Sequence, residues 1–449
     1  MSNYLKKLEY ELIEKGFNCP LLLMTSGGTL TNIPSACNNP VRLVESGPAG
    51  GAILATSIAR DLGLNKVISF DMGGTTAKIT VIENKKAIKA REFEVDRKAR
   101  FKKGSGFPLR IPVIEMVEIG AGGGSIARVN KLEQIITGPD SAGSLPGPAC
   151  YCNGGTLPTI TDADLIIGKI NPENFAGGKI KLSKDLAADA ITKNISQIVN
   201  LDMDTAALAI SEIVDETMSN AARVHTVEQG HETSSRTLIA FGGAAPLHVA
   251  RVAEKLKVSS IIIPTNASVG SAVGFLKAPV GYEVVKSLRT LLKAFPVKKV
   301  NDLLKIMREE AEKVIENKSE KNNFLEERFA YMRYAGQGHE IKVPIENNLL
   351  SIRHVDSIKS SFEQKYEKLY SRILPNADIE ILTWSLSLSI QSENENEYKE
   401  LNSYTNREES TLVDFIDYHS EKKIKVPYFE RNELNPGDLI MGQCFISEE

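Results

Sequence analysis

The apolar positions change period along the chain, and each change marks an element. Val67-Ile68-Ser69-Phe70 is an apolar run of strand length. Asp71-Met72-Gly73-Gly74-Thr75-Thr76 interrupts it, and residues 77–82 alternate again. Asn84-Lys85 predicts a hairpin turn, and residues 87–95 a third strand. Strand, turn, strand, turn, strand is a meander whose first turn holds more glycine than a connector needs. Residues 4–15 read as a short helix, 21–24 as a buried strand and 113–119 as another strand. A helical period runs over 49–62, with Pro48 before it and Gly63 after it. Longer helices are predicted over 182–199 and 205–227; the second places Ala206, Ile210, Ile213, Met218, Ala221 and Val224 close to one stripe.

Then strand 238–241, turn 242–245, helix 246–256, strand 260–263 and helix 269–276 follow in turn. That alternation is an α/β pattern. Beyond residue 282 the spacing predicts helices over 301–316 and 355–372, and strands near 326–334, 339–344 and 380–391, an α+β module. Residues 137–162 are so rich in Gly and Pro that they read as irregular.

Composition narrows the function classes. Of 449 residues, 42% are apolar and 25% charged, which fits a globular chain and excludes a collagen-like or disordered one. With 54 Lys plus Arg against 57 Asp plus Glu, the net charge of −3 lacks the basic excess of a dedicated nucleic-acid binder. No apolar run reaches the roughly 18 residues of a membrane span, and the charged N-terminus has no signal-peptide core. Five Cys in this length are not a disulfide framework. The expectation is a reduced, cytoplasmic protein with neither nucleic acid nor membrane as partner.

Glycine is concentrated before residue 282 and thins afterwards, so the candidate chemistry lies in the first part. Asp71-Met-Gly-Gly-Thr-Thr-Ala-Lys78 joins two strands. Gly73 and Gly74 let backbone N–H groups converge on an anion, Thr75 and Thr76 add hydroxyl donors, and Asp71 can hold the water shell of Mg²⁺. The other reading is a tight hairpin with Asp as a turn residue. Gly242-Gly243-Ala244-Ala245-Pro246 passes from strand to helix, which suits a phosphate or nucleotide edge or close strand–helix packing. Ser46-Gly-Pro-Ala-Gly-Gly51 is a similar turn whose small residues predict close helix packing. Glu115, Glu118, Asp162 and Asp164 could bind a hard cation, or be turn-forming and solvated acids. Arg97, Lys98, Arg100, Lys102 and Lys103 form a basic loop that could attract an anionic substrate or be solvated. His248 could face the cleft or lie on the helix surface, the reading favoured here, and Cys150 and Cys152 read as plain thiols.

An Asp-x-Gly-Gly-Thr hairpin followed much later by Gly-Gly before a helix is the spacing of the sugar-kinase, actin and Hsp70 superfamily. The stretches VRLVESGPAGGAI, SFDMGGTTAKITVIE, FKKGSGFPLRIPVIEMVEIGAGGGSIARV, GGTLPTITDADLIIG and LIAFGGAAPLHVARVAEKL resemble the hydantoinase A / 5-oxoprolinase family. MRYAGQGHEIKVPI and LNPGDLIMGQCFISEE are similar to that family's C-terminal module, so the likeness runs from about residue 20 to the end. It implies an actin-like ATPase lobe over 1–282 and a hydantoinase-type α+β module over 283–449. It also implies ATP- and Mg²⁺-dependent opening of a small cyclic amide such as a hydantoin or 5-oxoproline, with a hydantoinase B-type partner subunit. Related subunits serve acetone and acetophenone carboxylases, and a non-catalytic fragment or scaffold is the remaining alternative.

Carried over by position, the resemblance puts Asp71 at Mg²⁺ and makes Asp71 and Thr75 the candidate catalytic residues. Gly73, Gly74, Thr75 and Thr76 fall at the phosphates, and Gly242, Gly243 and Ala244 near the adenosine. The family's first Asp-x-Gly-Gly-Thr hairpin has no counterpart in residues 1–24, and the chain stops at Ser447-Glu-Glu. The expectation is that a first lobe is missing and that another chain supplies it, or that the chain does not hydrolyse ATP by itself.

Overall fold

A computed structural model of the chain describes residues 1–95, 105–315, 324–390, 404–407 and 411–448. They fall into two compact units that interleave along the sequence. One comprises Gly50–Leu109, Ile114–Lys277 and Asn396–Glu449; the other comprises Met1–Ala49, Arg110–Val113 and Ala278–Glu395. This division differs from a single cut at residue 282. The first 49 residues pair with the chain after 277: Leu30 N–H donates to Pro279 O at 2.9 Å and Asn32 Nδ2 to Val314 O at 2.8 Å.

The glycine-rich unit is built on β1 (Lys66–Met72), the middle strand of its main sheet. The order is β3 (Met116–Ile119), β2 (Ala77–Glu83), β1, β4 (Thr237–Phe241), β5 (Ser260–Ile262), and the short strand Lys86–Ala87 also pairs with β2. β1, β2 and β3 are antiparallel neighbours, whereas β4 and β5 run parallel to β1. A central strand covered on both faces needs a continuous apolar run rather than alternation, and β1 has one. Ile68, Phe70 and Met72 enter a core with residues of α1 (Ile160–Ile167), α2 (Met203–Glu228) and α3 (Ala245–Leu256). Val67 enters the opposite core with Leu54, Ala55, Ala59, Ile239 and Phe241. Each such fully buried Ile or Phe side chain contributes about 1.5–3 kcal/mol.

On that second face the helix Ser46–Asp61 crosses α4 (Gly270–Lys277) closely. A Cβ on Gly50 would stand 2.3 Å from the Phe275 ring, and one on Gly274 would stand 1.8 Å from Gly50 O. Close packing accounts for the small residues there.

Three sequence expectations change in detail. The strand expected over 87–95 is broken into pieces. It changes partner at Ile88, which donates to Val81 O while its own carbonyl accepts from Glu115 N–H. The stretch 137–162 is not irregular throughout, because Ile135–Ser141 pairs with Ser125–Val129 and α1 begins at Ile160. In α2, Val214 rather than Ile213 lies in the core, and Val224 is exposed.

The second unit has an antiparallel sheet ordered β6 (Gly281–Leu291), β9 (Ile379–Ile390), β7 (Phe324–Tyr334), β8 (Ile341–Ile345). Residues of α5 (Val297–Ile315) and α6 (His354–Tyr370) share its core, where Trp384, Tyr334 and Phe362 are buried. The only charged side chain buried to 0% exposure among these strands is Glu380, which accepts from Arg289 at 2.7 Å and Arg333 at 2.8 Å. Among the described residues no helix is long and apolar enough to cross a membrane.

Candidate functional site

The turn between β1 and β2 is closed by Gly73 N–H donating to Thr76 O at 3.1 Å, with Asp71 paired opposite Lys78. Gly74 and Thr75 form its exposed tip. Thr76 Oγ1 accepts from Lys78 Nζ at 2.6 Å, and that ammonium also stands 3.4 Å from Glu118 of β3.

Beneath the tip lies Gly120–Ser125, a segment whose role the sequence left without an account. Gly123 N–H donates to Gly73 O at 3.0 Å and Gly124 N–H to Gly74 O at 2.7 Å, so this run forms a second layer under the hairpin. A Cβ on Gly122 would lie 2.4 Å from Thr75 N, which explains glycine there by close backbone approach. The layer is held from below by α1, since Thr161 N–H and Oγ1 both donate to Gly123 O at 2.8 Å.

The strand–helix junction after β4 meets the same hairpin. Ala244 N–H donates to Met72 O at 2.9 Å, and Gly242 N–H to Ala267 O at 2.7 Å. Gly242 has φ +93°, and a Cβ on it would collide with Asp71 Oδ1 and Met72 O, each 2.5 Å away. The fold therefore brings Asp71, Gly73, Gly74, Thr75 and Thr76 beside Gly242, Gly243 and Ala244, although about 170 residues separate the two motifs in sequence.

Gly73, Gly74 and Gly243 differ from these supporting glycines. A Cβ on any of them would meet nothing within 4 Å, and none has a positive φ. Neither the chain's own packing nor its dihedral angles demand glycine at these three places. Bare backbone facing outward at the mouth of a hairpin is what a ligand's close approach requires.

Comparison with known proteins agrees in extent with the motifs. The family profile described as "Hydantoinase/oxoprolinase" matches residues 1–284, and "Hydantoinase/oxoprolinase C-terminal domain" matches 294–449. The chain belongs to the hydantoinase/oxoprolinase family. An uncharacterized protein of Methanocaldococcus jannaschii, MJ0964, is 35% identical over 100% of this chain and 64% of its own length. The caprolactamase subunit alpha of Pseudomonas jessenii is 30% identical over 86% of this chain and 55% of its own. The crystal structure of the ATP-dependent caprolactamase of Pseudomonas jessenii superposes with a TM-score of 0.78 at 26% identity, covering 100% of this chain and 64% of that one. The chain thus spans less than two thirds of the length of these relatives. The actin-like fold of this family is the architecture of the glycine-rich unit.

Within this hydantoinase/oxoprolinase fold the Asp71 carboxylate is fixed on both sides. Oδ2 accepts from Ser271 Oγ of α4 at 3.1 Å, and Oδ1 faces Gly242. Burial raises its pKa; the Ser271 hydroxyl and the Lys78 charge act in the opposite direction. A half-buried carboxylate with so little compensation fits a site for a hard cation that keeps most of its water shell. Among the described residues no three His, Cys, Asp or Glu side chains are grouped to cage a metal ion, so Mg²⁺ here would rest on Asp71, water and phosphate oxygens.

The acid cluster Glu115, Glu118, Asp162 and Asp164 is not assembled as a cation site. Asp162 is the third residue of α1 and makes a capping box with Thr159, besides accepting from Ala149 and Cys150 N–H. Asp164 pairs with Lys169 at 2.9 Å. His248 is not on a helix surface but fully buried on α3, 2.8 Å from Asp215. Cys150 is buried and its thiol pKa is pushed up, first by burial and then by Asp162, as suits an inert thiol. The basic residues Arg97, Lys98, Arg100, Lys102 and Lys103 lie outside the described residues.

Proposed function

We propose that this chain provides the phosphate-binding part of an ATP-dependent hydrolase that opens a small cyclic amide. The single observation that carries the reading is the trio Gly73, Gly74 and Gly243, bare backbone that the fold itself does not need. The family and the caprolactamase relatives support the reaction class.

An amide carbonyl is a poor electrophile because resonance spreads its charge. ATP would give up its γ-phosphoryl group to the amide oxygen, with ADP leaving. Water would then add to the activated carbon, and the ring C–N bond would break with the protonated nitrogen leaving as the amine. The acyl phosphate left behind would be hydrolysed to carboxylate and phosphate. The chain's task is then positioning and charge neutralisation. In this reading the N–H groups of Gly73, Gly74, Thr75 and Thr76 donate to phosphate oxygens, and the Thr75 hydroxyl adds a donor at the exposed tip. Asp71, turned by Ser271, holds the water shell of Mg²⁺. Gly242, Gly243 and Ala244 lie along the nucleoside, with the N-terminus of α3 adding a favourable dipole for anionic groups.

The relatives named as subunits make a partner chain of hydantoinase B type part of the proposal. The test is ATP cleavage by the chain co-produced with such a partner, over a panel of lactams and hydantoins with Mg²⁺. Lactam-stimulated ADP release with one equivalent of ring-opened amino acid is expected. Stimulation that requires bicarbonate and forms a new C–C bond would move the chain to the carboxylase class. An assembled complex that binds no nucleotide would leave a scaffold role and end this reading.

A further inference from the structure

Directly behind the two glycine loops, the first unit buries a set of charges that the proposed chemistry does not use. Asp164, Asp215, Lys169 and His248 are respectively 1%, 0%, 8% and 0% exposed. His248 Nδ1 stands 2.8 Å from Asp215 Oδ1 on α2, within hydrogen-bond geometry. Its Nε2 lies 3.1 Å from Asp164 Oδ2 on α1, off the line of a hydrogen bond, so that contact is electrostatic. Lys169 Nζ reaches Asp164 Oδ1 at 2.9 Å and Ser211 Oγ at 3.0 Å, and Ser211 Oγ meets the Tyr418 hydroxyl at 2.8 Å. Arg251, one turn along α3, lies over the Tyr418 ring and pairs with Glu212 of α2.

Apolar side chains of the same volume would fill this space at lower cost, because four desolvated charges repay their hydration only with good geometry. The cluster therefore points to a requirement other than stability. It sits where α1, α2 and α3 meet. Thr161, which holds the second layer under the hairpin, precedes Asp164 on α1; Ala244, which bonds Met72, precedes His248 at the start of α3. Both ring nitrogens of His248 face carboxylate oxygens, so a doubly protonated ring serves both.

We propose that His248, bridging Asp215 and Asp164, is a positioning residue that ties α3 to α2 and α1 and thereby holds the Gly242–Ala244 turn against the Asp71–Thr76 hairpin. The purpose of this tie rests on the nucleotide reading; its existence does not. Burial works against the charge on His248, but Asp164 and Asp215 outweigh burial and the repulsion of Lys169, and the pKa rises from 6.5 to about 9. Asp164 is held far below the ordinary carboxylate range, Lys169 is raised, and Tyr418 is pushed up to about 12. Of the three groups that keep a proton at neutral pH, His248, Lys169 and Tyr418, His248 is thus the first to lose it as pH rises. The tie is complete below about 6.5 and released as pH passes about 9.

Amide hydrogen exchange of the full chain tests this without nucleotide, with rates corrected for base catalysis. In His248→Gln, the Gly242 and Ala244 amides should exchange at least about tenfold faster than wild type at pH 7, while those of β2 keep their protection. Wild type should show the same local acceleration between pH 8 and 10, and the variant none beyond its own baseline. Unchanged Gly242 and Ala244 protection, or a loss shared equally by β2, would overturn the proposal. If the variant does not fold, the wild-type pH series decides alone. ATP affinity measured in parallel should fall about tenfold in the variant. A wild-type assembled complex that binds no ATP would sink the nucleotide reading and leave the exchange result to judge the tie.

Discussion

Gly122 and Gly242 are enclosed by the chain, whereas Gly73, Gly74 and Gly243 face outward, a few residues away, onto open space. The first pair exists so that backbones can touch: Gly122 against Thr75, Gly242 against Asp71 and Met72. A Cβ added to any of the outward trio would meet nothing within 4 Å. In the proposed reading the difference separates a glycine kept for folding from one kept for a ligand, and it gives each set a different signature on replacement.

The largest effect is expected at the enclosed set. Gly242→Val adds a branched side chain at φ +93° where atoms already stand 2.5 Å from a Cβ. Left-handed strain plus overpacking should cost about 3–5 kcal/mol, read as a lowered denaturant midpoint. Asp71→Ala removes the proposed cation ligand; ATP turnover of the assembled enzyme should fall about 100- to 1000-fold with circular dichroism unchanged. Full turnover in that variant would remove Asp71 from the chemistry.

Gly74→Val then tests the outward set directly. Stability should stay within about 0.5 kcal/mol of wild type, while nucleotide affinity drops about tenfold or more as the side chain occupies the approach. A stability loss as large as that of Gly242→Val would erase the distinction between the two sets. The smallest effect on nucleotide affinity belongs to the support beneath them. Thr159→Ala deletes half of the α1 capping box and should cost about 1 kcal/mol, with nucleotide affinity changed less than twofold.

Much of the glycine-rich unit was legible in order along the chain. β1, its turn and β2 were readable because an apolar run, a glycine turn and an alternating run are local signals, and the structure ends these strands within two residues of that reading. The helix α1 was missed although its signal was present: Thr159-x-x-Asp162 is a capping pattern directly before an apolar run, hidden in a Gly- and Pro-rich stretch. β6 was also unread, since its apolar positions are interrupted by Glu283, Lys286 and Arg289, and its pairing with β9 reaches about 100 residues along the chain. The burial of His248 had no local signal at all. A histidine one turn into an amphipathic helix looks the same in sequence whether solvent or two carboxylates surround it.

Sequence alone determined the family, the α/β character of the first part and the residues of the two glycine motifs, because motifs and hydrophobic period are written locally. Tertiary structure decided that these motifs meet, that Gly120–Ser125 underlies the hairpin, that Ser271 orients Asp71, and that residues 1–49 pair with the chain after 277. Those facts depend on hydrogen bonds and close approaches between segments far apart in the chain, and such distances exist only once the sheet has formed.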